Sequence, residues 1–173
     1  MTAPLRLAAV AAFALLMALC AQVAVPMVPV PMTLQTFAVL LAGAVLGRGW
    51  GAAAVLLYLA MAALGLPVLA DGAAGLEPFT GPTAGYLAAF PLAALVAGEL
   101  SRRLDRRPAA QVAVMIGAHL LILVVGAAWL ARAIGVGDAL AHGFTPFLFG
   151  AAVESVAVVG CAALLRRLPV FRS

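Results

Sequence analysis

Every arginine in this chain stands at or near the end of a long apolar run, and all but Arg132 fall at alternate ends of the runs. The positions are Arg6, Arg48, the stretch "RRLDRR" at 102–107, and Arg166, Arg167 and Arg172, and the chain has no lysine. The runs between them are built from Ala, Leu, Val and Gly, and only 9% of all residues are charged, against about 25% in soluble domains. A fold in water cannot hide that much apolar surface, so lipid is the solvent for most of the chain. A helix that crosses a bilayer needs about 20 apolar residues. Pro, Gly and charge divide the sequence into six candidate segments: 4–25, 33–46, 50–66, 83–104, 110–134 and 146–168. The expected fold is therefore an all-α membrane protein with six transmembrane helices, forming one integral membrane domain over 1–173.

Basic residues near helix ends remain on the cytoplasmic side. With six crossings and both termini cytoplasmic, all four arginine clusters fall on one face; an odd number of crossings would split them. The expected location is the cell (inner) membrane, multi-pass. The opposite connections, 26–32, 67–82 and 133–146, are rich in Pro and Gly and carry Asp71, Glu77, Asp138 and His142. Irregular backbone near a bilayer must be buried in protein or line a wet cavity, and such interruptions mark transporter binding sites. The outer face is thus expected to hold a lidded pocket. Arg6 ahead of an apolar run is also how a signal peptide begins. However, the bulky Leu19 before Cys20 suits a lipoprotein cleavage site poorly, so the first segment is expected to stay as a helix. The net charge of +4 does not point to nucleic acid, because no surface interleaves basic and aromatic residues.

The stretch "VPVPMTLQTF" at 28–37 interrupts the apolar pattern with prolines that cannot all sit in a regular helix. It places Thr33, Gln35 and Thr36 as neutral donors and acceptors near the outer end of a short helix, suited to an uncharged polar ring, or alternatively to bonds between helices. Tyr58 and Tyr86 can stack on a ring or anchor at the interface. Glu154 is an intramembrane carboxylate and so a functional candidate that needs a partner, a proton or a cavity. Glu99 is expected in an interfacial ion pair with Arg102 or Arg103, and His119 as a hydrogen-bonded core histidine. In "GPTAGY" at 81–86, Thr80 or Thr83 is placed to cap the fourth segment, whose N-terminal dipole would face the pocket and favour an anionic group. Arg132 is the one cation near that side. Cys20 and Cys161 read as small buried side chains. No metal site, cofactor site, nucleophile–base pair or phosphate loop is expected, so an ATP-driven role would need separate ATPase subunits. Small residues four apart, Ala8 and Ala12 on the first segment and Gly43, Gly47 and Gly51 further on, allow close helix approach. Three functions fit these residues: a substrate-binding transport subunit, a membrane enzyme acting on lipid, and an assembly protein. The enzyme would require clustered carboxylates or histidines at one depth.

Three stretches together, "PVPMTLQTFAVLLAGAVLG", "GAAAVLLYLAMAALGLPVLA" and "GPTAGYLAAFPLAA", resemble the BioY family, the biotin-binding S components of energy-coupling factor (ECF) transporters. The resemblance implies an S-component-type six-helix bundle that takes biotin from outside. It also implies an ECF transmembrane partner and two ATPase subunits, with Ala8 and Ala12 as the partner contact. The last segment departs from the pattern. Where the family has Phe-Leu-Pro-Gly-Asp and then Lys, this chain reads "FLFGAAVE", with Phe149 for the Pro, Ala151 for the Asp and Glu154 for the Lys. The resemblance then leaves Glu154 to accept hydrogen bonds from ring N–H groups. Arg132 or the N-terminus of the fourth helix is left for the ligand carboxylate. A divergent member that binds a biotin relative or another small molecule is the alternative.

Overall fold

A computed structural model describes residues 2–104 and 107–168. Arg106 and Arg172, members of two of the arginine clusters, lie outside the described residues. Seven α-helices are described: α1 (Ala3–Gln22), α2 (Gln35–Leu46), α3 (Arg48–Ala63), α4 (Ala84–Arg103), α5 (Pro108–Ile134), α6 (Val136–Gly143) and α7 (Phe147–Leu165). Two antiparallel two-residue strands, β1 (Ala24–Val25) and β2 (Met32–Thr33), close the proline-rich connection between α1 and α2. The prolines therefore do what the sequence led us to expect: 26, 29 and 31 all fall between helices. Pro4 and Pro108 instead open α1 and α5, where the missing N–H would have had no helical partner.

The extra helix is α6, which occupies a connection expected to be irregular. It starts at Gly135, whose φ of +85° turns the chain sharply out of α5. Four helices, α1, α4, α5 and α7, are long and apolar enough to cross a membrane. At 12 and 16 residues, α2 and α3 would extend only about 18 and 24 Å. The six expected segments thus appear as four long helices, α1, α4, α5 and α7, and two shorter apolar ones, α2 and α3, with the short α6 in addition.

The reason α2 can be short is that it is the centre of the bundle. Ten of its twelve residues are buried, and α1, α3, α4 and α7 surround it. Close approach is built in by small residues. A Cβ on Gly43 would run into the Ala94 backbone of α4, and one on Gly51 into Gly43 itself. Met17, Leu40, Met115 and Ile122 fill the interior. Leu7, Leu15, Leu19, Leu56, Val124, Val156 and Leu164 point outward. An apolar exterior around an apolar core is the surface of a bundle solvated by lipid.

The described arginines of the helix ends, Arg132 excepted, gather at one end of the bundle. Arg166 donates to the Ala44 carbonyl at 2.6 Å and to Ser101 Oγ at 2.7 Å, and Arg102 donates to the Leu46 carbonyl at 3.2 Å. Both carbonyls belong to the last turn of α2, whose C=O groups lack helical partners and carry the negative end of the dipole. Glu99 pairs with Arg103 and lies 3.9 Å from Arg48. Its expected ion pair is present, although Arg102 has been drawn to α2 instead. The Arg6 guanidinium sits 5.8 Å from the centre of the Trp50 ring. These contacts bring together the start of α1, the α2–α3 junction and the ends of α4 and α7.

Candidate ligand-binding site

At the other end of the bundle lies a cavity of about 370 Å³, within the usual range for small-molecule sites of about 300–1,000 Å³. Its walls come from β2 and the start of α2, the 69–83 connection, α4, α5 and α7. Leu87, Phe90, Ile122, Leu123 and Phe147 make it largely apolar, while Thr33, Gln35, Thr36, Thr83, His119 and Glu154 supply polar groups. Asp71 and Glu77 also line it, but no arginine does among the described residues.

The short ladder of β1 on β2 fixes the polar corner. It presents Thr33, whose Oγ1 accepts from the Gln35 backbone N–H at 3.3 Å and donates to Gln35 Oε1 at 3.0 Å. Gln35 Nε2 in turn donates to the Tyr58 hydroxyl, which donates to the Val68 carbonyl at 3.0 Å. Gln35 is thereby held in one orientation by protein partners on both ends of its amide. Tyr58 is fully buried behind it and is not part of the cavity wall. Of the sequence candidates, Tyr58 is thus placed as the support for Gln35 rather than as a ring that a ligand touches.

Thr36, one residue further on, donates to Glu154 Oε2 at 2.6 Å, across to α7. The same oxygen lies 3.2 Å from His119 Nε2 on α5. His119 is buried and hydrogen-bonded, as a core histidine should be, with Nδ1 at 3.1 Å from the Met115 carbonyl and 3.0 Å from Ser155 Oγ. It is also a cavity residue that touches Glu154, which sequence spacing does not disclose because the two lie on different helices. Tyr86, on α4, also lines the cavity. Its hydroxyl donates to the Gly143 carbonyl of α6 at 2.6 Å, and its ring lies 6.4 Å from that of Phe147.

Two expectations are corrected. Arg132 does not line the cavity: its guanidinium stacks 4.4 Å from the centre of the Trp129 ring, and Trp129 Nε1 donates to the Gly81 carbonyl at 2.9 Å. Arg132 thus braces the turn before α4 through Trp129. Thr80 and Thr83 do not cap α4. Their hydroxyls donate to the Glu77 and Pro78 carbonyls, at 3.1 and 3.0 Å, and so tie the turn to itself. Thr83 still lines the cavity, at the helix N-terminus. Ala8 and Ala12 lie far from these groups along the sequence, on an exposed face of α1. Cys20 and Cys161 are both free thiols, partly exposed rather than fully buried.

A model of the BioY family matches residues 2–170. A probable biotin transporter BioY of Pyrococcus horikoshii is 39% identical over 150 residues, which is 87% of this chain and 89% of that protein. The biotin transporter BioY of Thermotoga maritima is 34% identical over 161 residues, 92% of this chain and 95% of that one. Among solved structures, the S-component for biotin from an ECF-type ABC transporter superposes with a TM-score of 0.84 at 25% identity, covering 99% of this chain and 97% of the other.

Proposed function

The chain belongs to the BioY family, and from that premise we infer that it is the substrate-binding membrane subunit of a biotin uptake transporter of the ECF type. The observation that carries this reading is the cavity itself: a ligand-sized apolar chamber with Thr36, Gln35, His119 and Glu154 on one side, at the end of the bundle away from the arginine clusters. Biotin has three parts to satisfy. The N–H groups of its ureido ring donate to the Glu154 carboxylate, a charge-assisted arrangement. The fused rings and the aliphatic chain rest on Leu87, Phe90, Ile122 and Phe147. The carboxylate tail goes to the N-terminal turn of α4, beside Thr83, where the helix dipole favours an anion without a buried Lys. Arg132 has no direct part in this arrangement.

The arginine end faces the cytoplasm and the cavity faces outward, with both termini cytoplasmic. Six helices cross, α1 to α5 and α7, while α6 lies at the outer surface. The short α2 crosses because protein, not lipid, surrounds it. One integral domain over 1–173 does the capturing, in the cell (inner) membrane. The exposed Ala8–Ala12 face of α1 receives the transmembrane partner, and ATPase subunits drive uptake. A second function is favoured by Glu154 itself, which offers an acceptor to ring N–H groups where a lysine would have offered a cation to a carboxylate: binding of a biotin relative that presents ring N–H donors.

Equilibrium binding to the purified protein in detergent tests the reading. Saturable biotin binding at micromolar concentration or below is expected, and its absence, with dethiobiotin bound instead, would shift the assignment to the relative. Gln35→Leu is expected to weaken biotin about tenfold, the worth of roughly one hydrogen bond, and to lower stability by about 1–3 kcal/mol because Thr33 and Tyr58 lose a partner. Unchanged affinity would remove Gln35 from the ligand's contacts.

A further inference from the structure

The hydrogen bonds of His119 and Glu154 can be counted. Nδ1 of His119 faces the Met115 carbonyl and Ser155 Oγ. The carbonyl can only accept, and the Ser155 hydroxyl directs its hydrogen to the Ala151 carbonyl at 2.7 Å. Nδ1 therefore carries a hydrogen. Across the ring, Nε2 meets Glu154 Oε2 at 3.2 Å, in a place where the His119 side chain is 2% exposed and that of Glu154 12%. A bare nitrogen and a bare carboxylate oxygen would turn lone pairs on each other there, so one hydrogen stands between them. Whichever of the two atoms it is bonded to, the pair is neutral as a whole. Thr36 donates to the same Oε2. Oε1 has no hydrogen-bond partner among the described residues, and no fully buried side-chain oxygen is left unsatisfied, so Oε1 is the edge open to the cavity.

The surroundings give this neutrality a consequence. Asp71 and Glu77 line the cavity with Glu154, and no arginine does among the described residues. His119 is the one cavity group there that can balance a carboxylate.

We propose that His119 determines ligand specificity: by sharing one hydrogen with Glu154, it lets Oε1 receive the ligand's ring N–H groups while the cavity presents no net charge from the pair to an anionic tail. The identity of the ligand rests on the biotin-binding reading above, whereas the pair itself rests on the hydrogen-bond count alone. The test compares biotin with biotinamide, which has the same rings and an uncharged tail. Dissociation constants are measured for the parent protein, His119→Gln, and His119→Gln combined with Glu154→Gln. Glutamine can still hydrogen-bond Glu154 but leaves it an unbalanced anion. The ratio of the biotin to the biotinamide constant is expected to rise about tenfold in His119→Gln, the size of an unscreened charge pair across a protein cavity, and to return to the parent value in the double variant. A merely structural defect weakens both ligands together and leaves the ratio where it was, and that result overturns the proposal. A parent protein that binds neither ligand defeats the biotin reading instead. The pair is then judged without ligand, by nitrogen-15 NMR of histidine-labelled protein in detergent. A hydrogen on Nδ1 of His119 supports it, and a bare Nδ1 with hydrogen on Nε2 alone overturns it.

Discussion

Glu154→Lys weakens biotin binding about a hundredfold or more. The substitution removes the acceptor for the ring N–H groups, and hydrogen bonds to a charged group are each worth about 1.5–3 kcal/mol, where 1.4 kcal/mol is tenfold. It also strips Thr36 of the oxygen it donates to and sets an ammonium against His119. Glu154→Gln keeps the shape and one acceptor oxygen, so it loses about tenfold. Calorimetric titration of the three proteins in detergent reads the series directly. Three equal affinities would take Glu154 out of the site, and with it the ring-binding half of the proposed pose.

Gly126→Val should be the most damaging single change to the framework of the site. Gly126, on α5, lies directly beneath the Tyr86 ring, and a Cβ there would overlap the ring carbons. The backbone has no room to yield, because Gly85 of α4 is itself pressed against Trp129 and the Val125 carbonyl. Tyr86 would have to leave its slot and give up its bond to the Gly143 carbonyl, which ties α4 to α6. Overpacking in a buried contact typically costs about 1–3 kcal/mol, and this contact belongs at the upper end because neither partner can shift. The expected result is a large fall in thermal unfolding temperature in detergent, together with loss of ligand binding. Gly117→Val is the control, since Gly117 is on the same helix with nothing within 4 Å of the added Cβ. Equal stability of the two variants would contradict the packing described for α4 on α5.

The arginine punctuation was enough to foresee which helix ends come together, because each cluster had to stay with water and all of them could do so on one side. The contacts of Arg102 and Arg166 with the end of α2 followed from the same rule but needed the fold, since Leu46 and Ala44 are remote in sequence. The polar corner was legible as well: prolines that break a helix and three neutral polar residues in an apolar chain can hardly be accidental. What could not be seen was how those groups are shared. Tyr58 sits behind Gln35 because β1 and β2 fold the chain back across the top of the bundle. His119 meets Glu154 only because α5 and α7 pack side by side. Position along the chain makes Arg132 one of two candidates for the ligand carboxylate, beside the N-terminus of α4, but it does not show that the Trp129 ring offers Arg132 a partner outside the cavity. The helix α6 leaves little trace in the sequence because it is eight residues long and follows a glycine that reads equally well as a loop. Its hydrophobic face, with Ala139 buried, becomes apparent only against α5.

The proposed function requires one geometry, a cavity that is open to the exterior and takes biotin, with the arginine end in the cytoplasm. Cysteine labelling in intact cells tests both parts together, in a protein with Cys20 and Cys161 replaced by alanine. Glu77→Cys, on the cavity wall and exposed, should react with a membrane-impermeant maleimide added outside, and biotin should slow that reaction. Gly49→Cys, exposed beside the arginines, should react only after the cells are permeabilised. Labelling of Gly49→Cys from outside, or a Glu77→Cys rate indifferent to biotin, would contradict it.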